Sequence, residues 1–311
     1  MKRHLHLNWA VRTDQIFTLN LDPKFDPFTQ VKNRFNVNFD RHTFAGGEPH
    51  IGLNIAEVPD NAVLYISQRY NEVRNIFDIL MVADAARRLG FVELHLVLPS
   101  FPAARQDRVC NDGEALTVKL FADLINGCNF ASVHILSPHS EVTPALLDNV
   151  VVYDEHKYVE QMLIDTCPKE TTINIVCPDA GAGKRVQSVV KYLAERFPQN
   201  RINLIRCEKV RDVKTGVLLE FFVQADDLGG HPTFIVDDIL CMGGTFKGLG
   251  EILKTRNAGP LYLFVSHCDC KEGIQKMVEY FDGVYTTNSK YNWDDYCYTM
   301  DGKVKAYKFT L

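Results

Sequence analysis

The sequence predicts an α/β fold of two similar, mainly parallel sheets, each flanked by helices. Short apolar runs rich in β-branched residues recur along the chain, and amphipathic stretches of helical period separate them. The length, 311 residues, suits two domains at ~100–200 residues each. A hydrophobic content of 46% with 23% charged residues is that of a globular protein rather than a disordered one.

The expected strands come in order as Val63-Leu-Tyr-Ile-Ser67, Leu94-His-Leu-Val-Leu98, Val133-His-Ile-Leu136, Ile173-Asn-Ile-Val-Cys177, Ile202-Asn-Leu-Ile205, Phe234-Ile-Val236 and Leu261-Tyr-Leu-Phe-Val265. Helices are expected between them. In 75–89, apolar Ile76, Phe77, Leu80, Met81 and Ala85 share a face, and 116–125, 186–197 and 245–253 show the same period. The stretch from Pro144 to Asp154 lacks that period, so a domain change is expected near residue 150.

The net charge of -5 argues against a general nucleic-acid binder, which needs a basic face. No run of ~18 apolar residues is present to span a membrane, and Met1-Lys2-Arg3-His4 lacks the apolar segment of a secretory signal. A cytoplasmic protein with reduced thiols is therefore expected. The nine cysteines are scattered, and the close pair Cys268-Asp-Cys270 lacks the partners of a zinc site, so packing or surface roles are expected.

Ligands of such sheets sit beyond the carboxyl ends of the strands, which directs attention to the residues after each run. After Leu98 comes a loop with Arg105-Gln106-Asp107-Arg108, whose guanidiniums can grip phosphate or stack on a base. His139 follows the third run within Ser-Pro-His-Ser, where a satisfied core histidine and a metal or phosphate contact are both open readings. Asp179-Ala-Gly-Ala-Gly-Lys184-Arg185 joins a carboxylate to a glycine turn and two cations, without being a Walker A loop. Asp237-Asp238 precedes Cys241-Met242-Gly243-Gly244-Thr245 at a helix start. Glycines there admit an anion to the backbone N–H groups, threonine adds a donor, and the carboxylates suit ribose hydroxyls or hydrated Mg²⁺.

These loops, in this order, resemble those of the ribose-phosphate diphosphokinases, also called phosphoribosyl pyrophosphate (PRPP) synthetases. The likeness runs from about Phe44 to Asn288. Phe44-Ala-Gly-Gly-Glu48 is similar to the family's Phe-Ser-Asp-Gly-Glu, which reaches ATP in a neighbouring subunit. Ala104-Arg-Gln-Asp-Arg108 resembles its ATP loop, and Asp179 to Arg185 its metal and ribose segment. Val236 to Thr245 is similar to its PRPP loop, and Thr287-Asn288 to its late Thr-Asn.

The resemblance implies two phosphoribosyltransferase-like domains. Residues 1–150 would bind ATP and carry oligomer contacts, 151–299 would carry the ribose-phosphate loop, and a tail of about 300–311 would pack on the first. The implied reaction moves the β,γ-diphosphoryl group of ATP to the anomeric hydroxyl of a 5-phosphorylated ribose, releasing AMP, with Mg²⁺ as cofactor. His139 and Asp179 would order the metal, and Phe44, Glu48, Arg105, Gln106, Asp107 and Arg108 would hold ATP. Asp237, Asp238 and the 241–245 loop would hold the ribose phosphate. Lys184, Lys209 and Arg211 would supply catalytic cations, and a homo-oligomer with shared sites is implied.

The chain departs from the family pattern at informative places. Cys241 and Met242 stand where the family has an aspartate and a threonine, and Cys207 where it has the lysine of a Lys-x-Arg pair. Gly46 replaces an Asp or Asn. One reading is a non-catalytic, regulatory or nucleotide-sensing relative. The other is an active enzyme whose acceptor carries a substituted 5-phosphate, such as the ADP-ribose used by phage-encoded members of the superfamily, with ribose 5-phosphate close behind.

Overall fold

The chain, seen in a computed structural model, is described for residues 15–211, 218–294, 300 and 302–311, and the side chains of 209–211 and 218–221 lie outside that description. Its first half builds a six-stranded sheet. β1 (Ile16–Asn20), β2 (Phe35–Asn36), β5 (Val63–Ser67), β6 (Glu93–Val97), β7 (Ser132–Leu136) and β8 (Val150–Tyr153) lie in the order β2-β1-β5-β6-β7-β8, all parallel. A separate antiparallel hairpin pairs β3 (Asn38–Thr43) with β4 (Pro49–Asn54). The crossover helices are α1 (Arg74–Arg88), α2 (Thr117–Asn126) and the short α3 (Val142–Leu146).

After α4 (His156–Thr166), the second half builds a seven-stranded sheet. β9 (Thr172–Cys177), β10 (Arg201–Arg211), β11 (Leu218–Val223), β12 (Thr233–Leu240), β13 (Leu261–Cys268), β14 (Gly283–Thr287) and β15 (Val304–Tyr307) lie in the order β11-β10-β9-β12-β13-β14-β15. Every pairing is parallel except the β10–β11 hairpin. Its helices are α5 (Gly183–Arg196), α6 (Gly244–Thr255) and α7 (Lys271–Met277). Among the described residues no helix is long and apolar enough to cross a membrane.

Strand alternation explains how the layers stack. Leu64 and Ile66 of β5 enter one core with α1 and α2, while Val63 and Tyr65 enter another with α4 and α5. Phe234 and Val236 of β12 join that same middle core, and Ile235 faces a third with α6 and α7. The two sheets therefore share the apolar layer between them. The chain end belongs to it: Phe309 is buried there, packs edge-on against Tyr153 at 5.3 Å, and the Leu311 amide donates to Pro27 at 2.9 Å.

One helix lies outside the sequence expectations and one strand is longer than expected. The 144–154 stretch holds the end of α3 and all of β8, and α4 follows with Tyr158, Val159, Met162 and Leu163 on its buried stripe. The strand expected to stop at Val236 runs on through Asp237 and Asp238 to Leu240, so both carboxylates are strand residues.

The middle layer also buries a polar row. His95 Nδ1 meets Ser132 Oγ at 2.7 Å, Ser132 Oγ meets His134 Nε2 at 2.7 Å, and His134 Nδ1 meets the Tyr153 hydroxyl at 3.0 Å. Burial pushes the His134 imidazole from 6.5 down to about 3, helped by nearby His95. A depressed histidine contributes stability in full above its unfolded value, and loses it as pH falls towards the folded one. We therefore expect urea denaturation to show a loss of about 2 kcal/mol from this residue between pH 7.5 and pH 5. In His134→Gln that part of the pH dependence should vanish; an unchanged slope would refute the assignment.

Candidate active site

The candidate site is assembled where strands of both sheets end. At the end of β7 the chain turns through Ser137, which holds a φ of 40°, an unusual value for a residue with a side chain. Ser137 Oγ donates to buried Glu155 at 2.8 Å, and buried His267 of β13 donates from Nε2 to the Leu136 carbonyl at 2.9 Å. Since a carbonyl can only accept, that bond sets the neutral His267 tautomer, whose Nδ1 then meets Ser289 Oγ at 2.7 Å. The turn carrying His139 is thus held from both sides.

His139 Nδ1 donates to Asp238 Oδ2 at 2.6 Å, a contact across the two halves. Arg185, from the first turn of α5, reaches Asp238 at 3.1 Å and Asp237 at 3.3 Å. Its other nitrogen donates to the Pro138 and His139 carbonyls at 3.1 and 3.2 Å. One guanidinium therefore ties the carboxylate pair to the histidine loop.

The pair is electrostatically split. Burial and the adjacent charge of Asp238 hold the Asp237 carboxyl well above the usual range. Burial also acts on Asp238, but the His139 hydrogen bond and the Arg185 charge outweigh it and hold that carboxylate ionised. The Asp238 hydrogen bond in turn raises His139. Arg185 keeps its charge despite burial because Asp238, Glu155 and Asp237 surround it.

A cleft of about 710 Å³ opens in front of this group. His139 and Ser137 line it with Arg105 and Gln106 from the loop after β6. Ile239, His267, Asp269 and Lys290 line it from the second half, and Tyr70, Phe101, Phe121 and Tyr291 add aromatic walls. Lys290 spans the halves, donating to the Tyr70 carbonyl at 3.1 Å and pairing with Asp269 at 3.2 Å.

The other expected residues lie around this centre. Asp179 accepts from the Ala182 amide at 3.0 Å in the turn before α5, and it is half-buried. Gly243 takes a φ of 79° to start α6, and a Cβ there would meet Met277 at 2.5 Å, so glycine is required. Gly244 is exposed and Thr245 half-buried at that helix start, with Cys241 half-buried and Met242 exposed just before it. Arg108 is exposed, and Asp107, partly buried, contributes to raising His139. Phe44 and Glu48 close the exposed β3–β4 hairpin, with the Phe44 amide donating to the Glu48 carbonyl at 2.9 Å, and neither lines the cleft. Lys209 and Arg211 lie on β10, and their side chains are outside the described residues. Asn288 Oδ1 accepts from the Phe309 amide at 2.8 Å, and Thr287 is buried.

The sequence reading counts Arg185 only as one of two cations in the 179–185 segment and gives the catalytic role to Lys184. The helical period holds the missing signal: 182, 185, 186, 189 and 193 form the inward stripe of α5, whereas Lys184 is exposed on the opposite face. Glu155 and His267 carry no local signal, because both matter only through contacts with a distant turn.

Mg²⁺ binds through one or two carboxylates and completes its shell with water and phosphate oxygens, so it needs no cage of protein ligands. Among the described residues no cluster of three or more metal-type side chains exists. The set nonetheless fits a phosphate-borne cation: Asp179 is a carboxylate at the strand end, and His139, committed through Nδ1 to Asp238, presents Nε2.

Comparison with known proteins agrees with this geometry. Residues 16–128 match the N-terminal domain of ribose phosphate pyrophosphokinase. The chain is 28% identical over 252 residues to the ribose-phosphate pyrophosphokinase of Thermococcus kodakarensis, covering 79% of this chain and 83% of that protein. It is 24% identical over 266 residues to that of Pyrococcus furiosus, covering 84% and 89%. The phosphoribosylpyrophosphate synthetase of Mycobacterium smegmatis has the same fold, with a TM-score of 0.72 over 95% of each chain at 18% identity. Similarity along most of the chain and two sheets of matching architecture lead to one conclusion: the chain resembles the ribose-phosphate pyrophosphokinases over most of its length and shares the fold of a phosphoribosylpyrophosphate synthetase.

Proposed function

We propose that this chain transfers the β,γ-diphosphoryl group of ATP to the anomeric hydroxyl of a 5-phosphorylated ribose, releasing AMP. The observation that carries this reading is the cleft itself: Arg105, Gln106 and His139 line it from the first sheet, and His139 is bonded there to Asp238 of the second, which Arg185 ties to Asp237. Relatives named as pyrophosphokinases support it.

Each side would hold one substrate. Arg105, Gln106 and Arg108 supply donors for the triphosphate, with Asp107 beside them. Asp237 and Asp238 accept from ribose hydroxyls, and the α6 start at Gly243, Gly244 and Thr245 offers N–H groups to a phosphate. Asp179 and His139 Nε2 would hold Mg²⁺, which when bound neutralises charge on the transferring phosphates. Lys184, Lys209 and Arg211 would add cations from the rim. Phe44 and Glu48, exposed on their hairpin, would complete the site of a neighbouring copy.

The acceptor is read as a ribose whose 5-phosphate is substituted, as in ADP-ribose. A phosphate monoester carries ≈ −1.5 to −2 charges at pH 7, whereas a substituted phosphate carries less charge and more bulk. Cys241 and the exposed Met242 offer neither a carboxylate nor a hydroxyl donor, which suits the second kind.

Incubation with Mg-ATP and each acceptor, with chromatography of the products, tests the whole reading. AMP release with ADP-ribose is expected. Release with ribose 5-phosphate alone would overturn the acceptor. Nucleotide binding without AMP from either would favour a regulatory, nucleotide-sensing relative. Arg105→Ala should lower kcat/KM for ATP by about 10–100-fold, the loss of one charge-assisted contact, with the acceptor KM little changed.

A further inference from the structure

Two adjacent strands of the second sheet end in a pair of thiols that the proposed transfer does not use. β12 and β13 run parallel with Leu240 opposite Cys268, and the Asp269 amide donates to the Leu240 carbonyl at 2.7 Å. Cys241 is the first residue beyond β12 and Cys270 the second beyond β13, so they leave adjacent strands one register step apart. Cys270 Sγ lies 3.0 Å from the Cys241 carbonyl oxygen and 3.6 Å from Met242 Sδ.

Both thiols are only partly buried, whereas Cys177, Cys207 and Cys268 are enclosed. Neighbouring strands lie ~4.8 Å apart and a disulfide spans Cα atoms ~4.4–6.8 Å apart, and both cysteines lie beyond the strand ends, so any adjustment that closes the bond falls outside the sheet. The surroundings also leave little slack for another arrangement. A Cβ on Gly273, in the first turn of α7, would sit 1.7 Å from the Cys241 carbonyl oxygen, so that turn packs directly on Cys241.

We propose that Cys241 and Cys270 form a reversible redox site, closed to a disulfide by a low-molecular-weight disulfide such as glutathione disulfide, which ties the 241–245 loop to the start of α7. In the first step Cys270 gives its proton to solvent, and its thiolate attacks one sulfur of the small disulfide. That S–S bond breaks and one thiolate leaves. The Cys241 thiolate, its proton also lost to solvent, then attacks the Cys270 sulfur and expels the second small thiolate. Both leaving thiolates take up a proton, so two protein thiols are oxidised and one small disulfide is reduced to two thiols. Burial raises the Cys270 thiol, so exchange should quicken as pH rises.

The effect on turnover rests on the function proposed above, but the bond itself does not. A loop cross-linked to α7 cannot adjust around a phosphate at the α6 start.

The test is to incubate the full-length protein with glutathione disulfide, alkylate the remaining thiols and map peptides without reduction. The expected map joins the Cys241 and Cys270 peptides, and dithiothreitol separates them again. AMP release by the oxidised wild type should fall by about 10-fold or more and recover on reduction, while Cys270→Ser keeps its activity through the treatment. Cys241 and Cys270 both alkylated after oxidation, or either joined to another cysteine, would overturn the site. A mapped cross-link with unchanged turnover would overturn its control of the loop. Protein that releases no AMP before oxidation speaks against the transfer reading, and the peptide map then decides this proposal alone.

Discussion

Arg185→Ala is expected to destabilise the protein by about 3–5 kcal/mol and to abolish AMP release. Arg185 is one cation bonded to two adjacent carboxylates and two loop carbonyls, with Glu155 acting on it electrostatically, and its side chain is 14% exposed. Without it, Asp238 would remain a buried anion held by His139 and the Asp237 carboxyl, and Glu155 would lose the cation beside it. Such groups escape by taking up protons, so Asp238 should lose the depression that Arg185 supports. The variant should then be more stable, relative to wild type, at lower pH. Urea denaturation at pH 7.5 and pH 5.5 reads this directly. Arg185→Lys keeps the charge without the planar fork, and should recover part of the stability but little activity. Equal stability of Arg185→Ala and wild type at pH 7.5 would show that the carboxylates are satisfied by solvent instead.

Gly273→Ala is the second large effect. The added methyl would lie 1.7 Å from the Cys241 carbonyl oxygen, a backbone atom that cannot swing aside as a side chain would. Either α7 or the 241–245 loop must move, at a cost of about 3 kcal/mol or more. Thermal denaturation should show a large fall in Tm, with a loss of acceptor-dependent AMP release in whatever remains folded. Gly52→Ala is the matched control. That glycine is in the β3–β4 hairpin with nothing within 4 Å of a new Cβ, so a change within about 0.5 kcal/mol is expected. Similar losses at both positions would mean that glycine content, and not the contact with Cys241, is responsible.

Much of the fold is legible in the amino-acid order because strands and helices write their period locally. The run 63–67 is buried throughout, and the 183–196 helix shows its inward stripe plainly. Some elements lie outside the expected set. Residues 156–166 repeat apolar side chains at helical spacing and form α4, a helix that follows a stretch without that period. The 201–211 strand extends past the expected run 202–205 because its outer half pairs with 218–223 in a hairpin, where Cys207 and Val223 join the third core.

The loops of the candidate site are likewise visible in the chain, since each follows an apolar run and each brings glycine, cation or carboxylate. Order along the chain alone therefore determines the fold class, the resemblance to a family and the loops that follow the strand ends. It cannot state which side chains meet. His139 and Asp238 are 99 positions apart and touch because two sheets share one apolar layer that sets their strand ends face to face. That packing also decides that Arg185 turns inward and Lys184 outward, that Asp237 and Asp238 are driven apart in acidity, and that Cys241 lies against Cys270. The physical reason is the same in each case. Backbone period is a local property, whereas desolvation, charge pairing and contact belong to the space between elements, which exists only once they have packed.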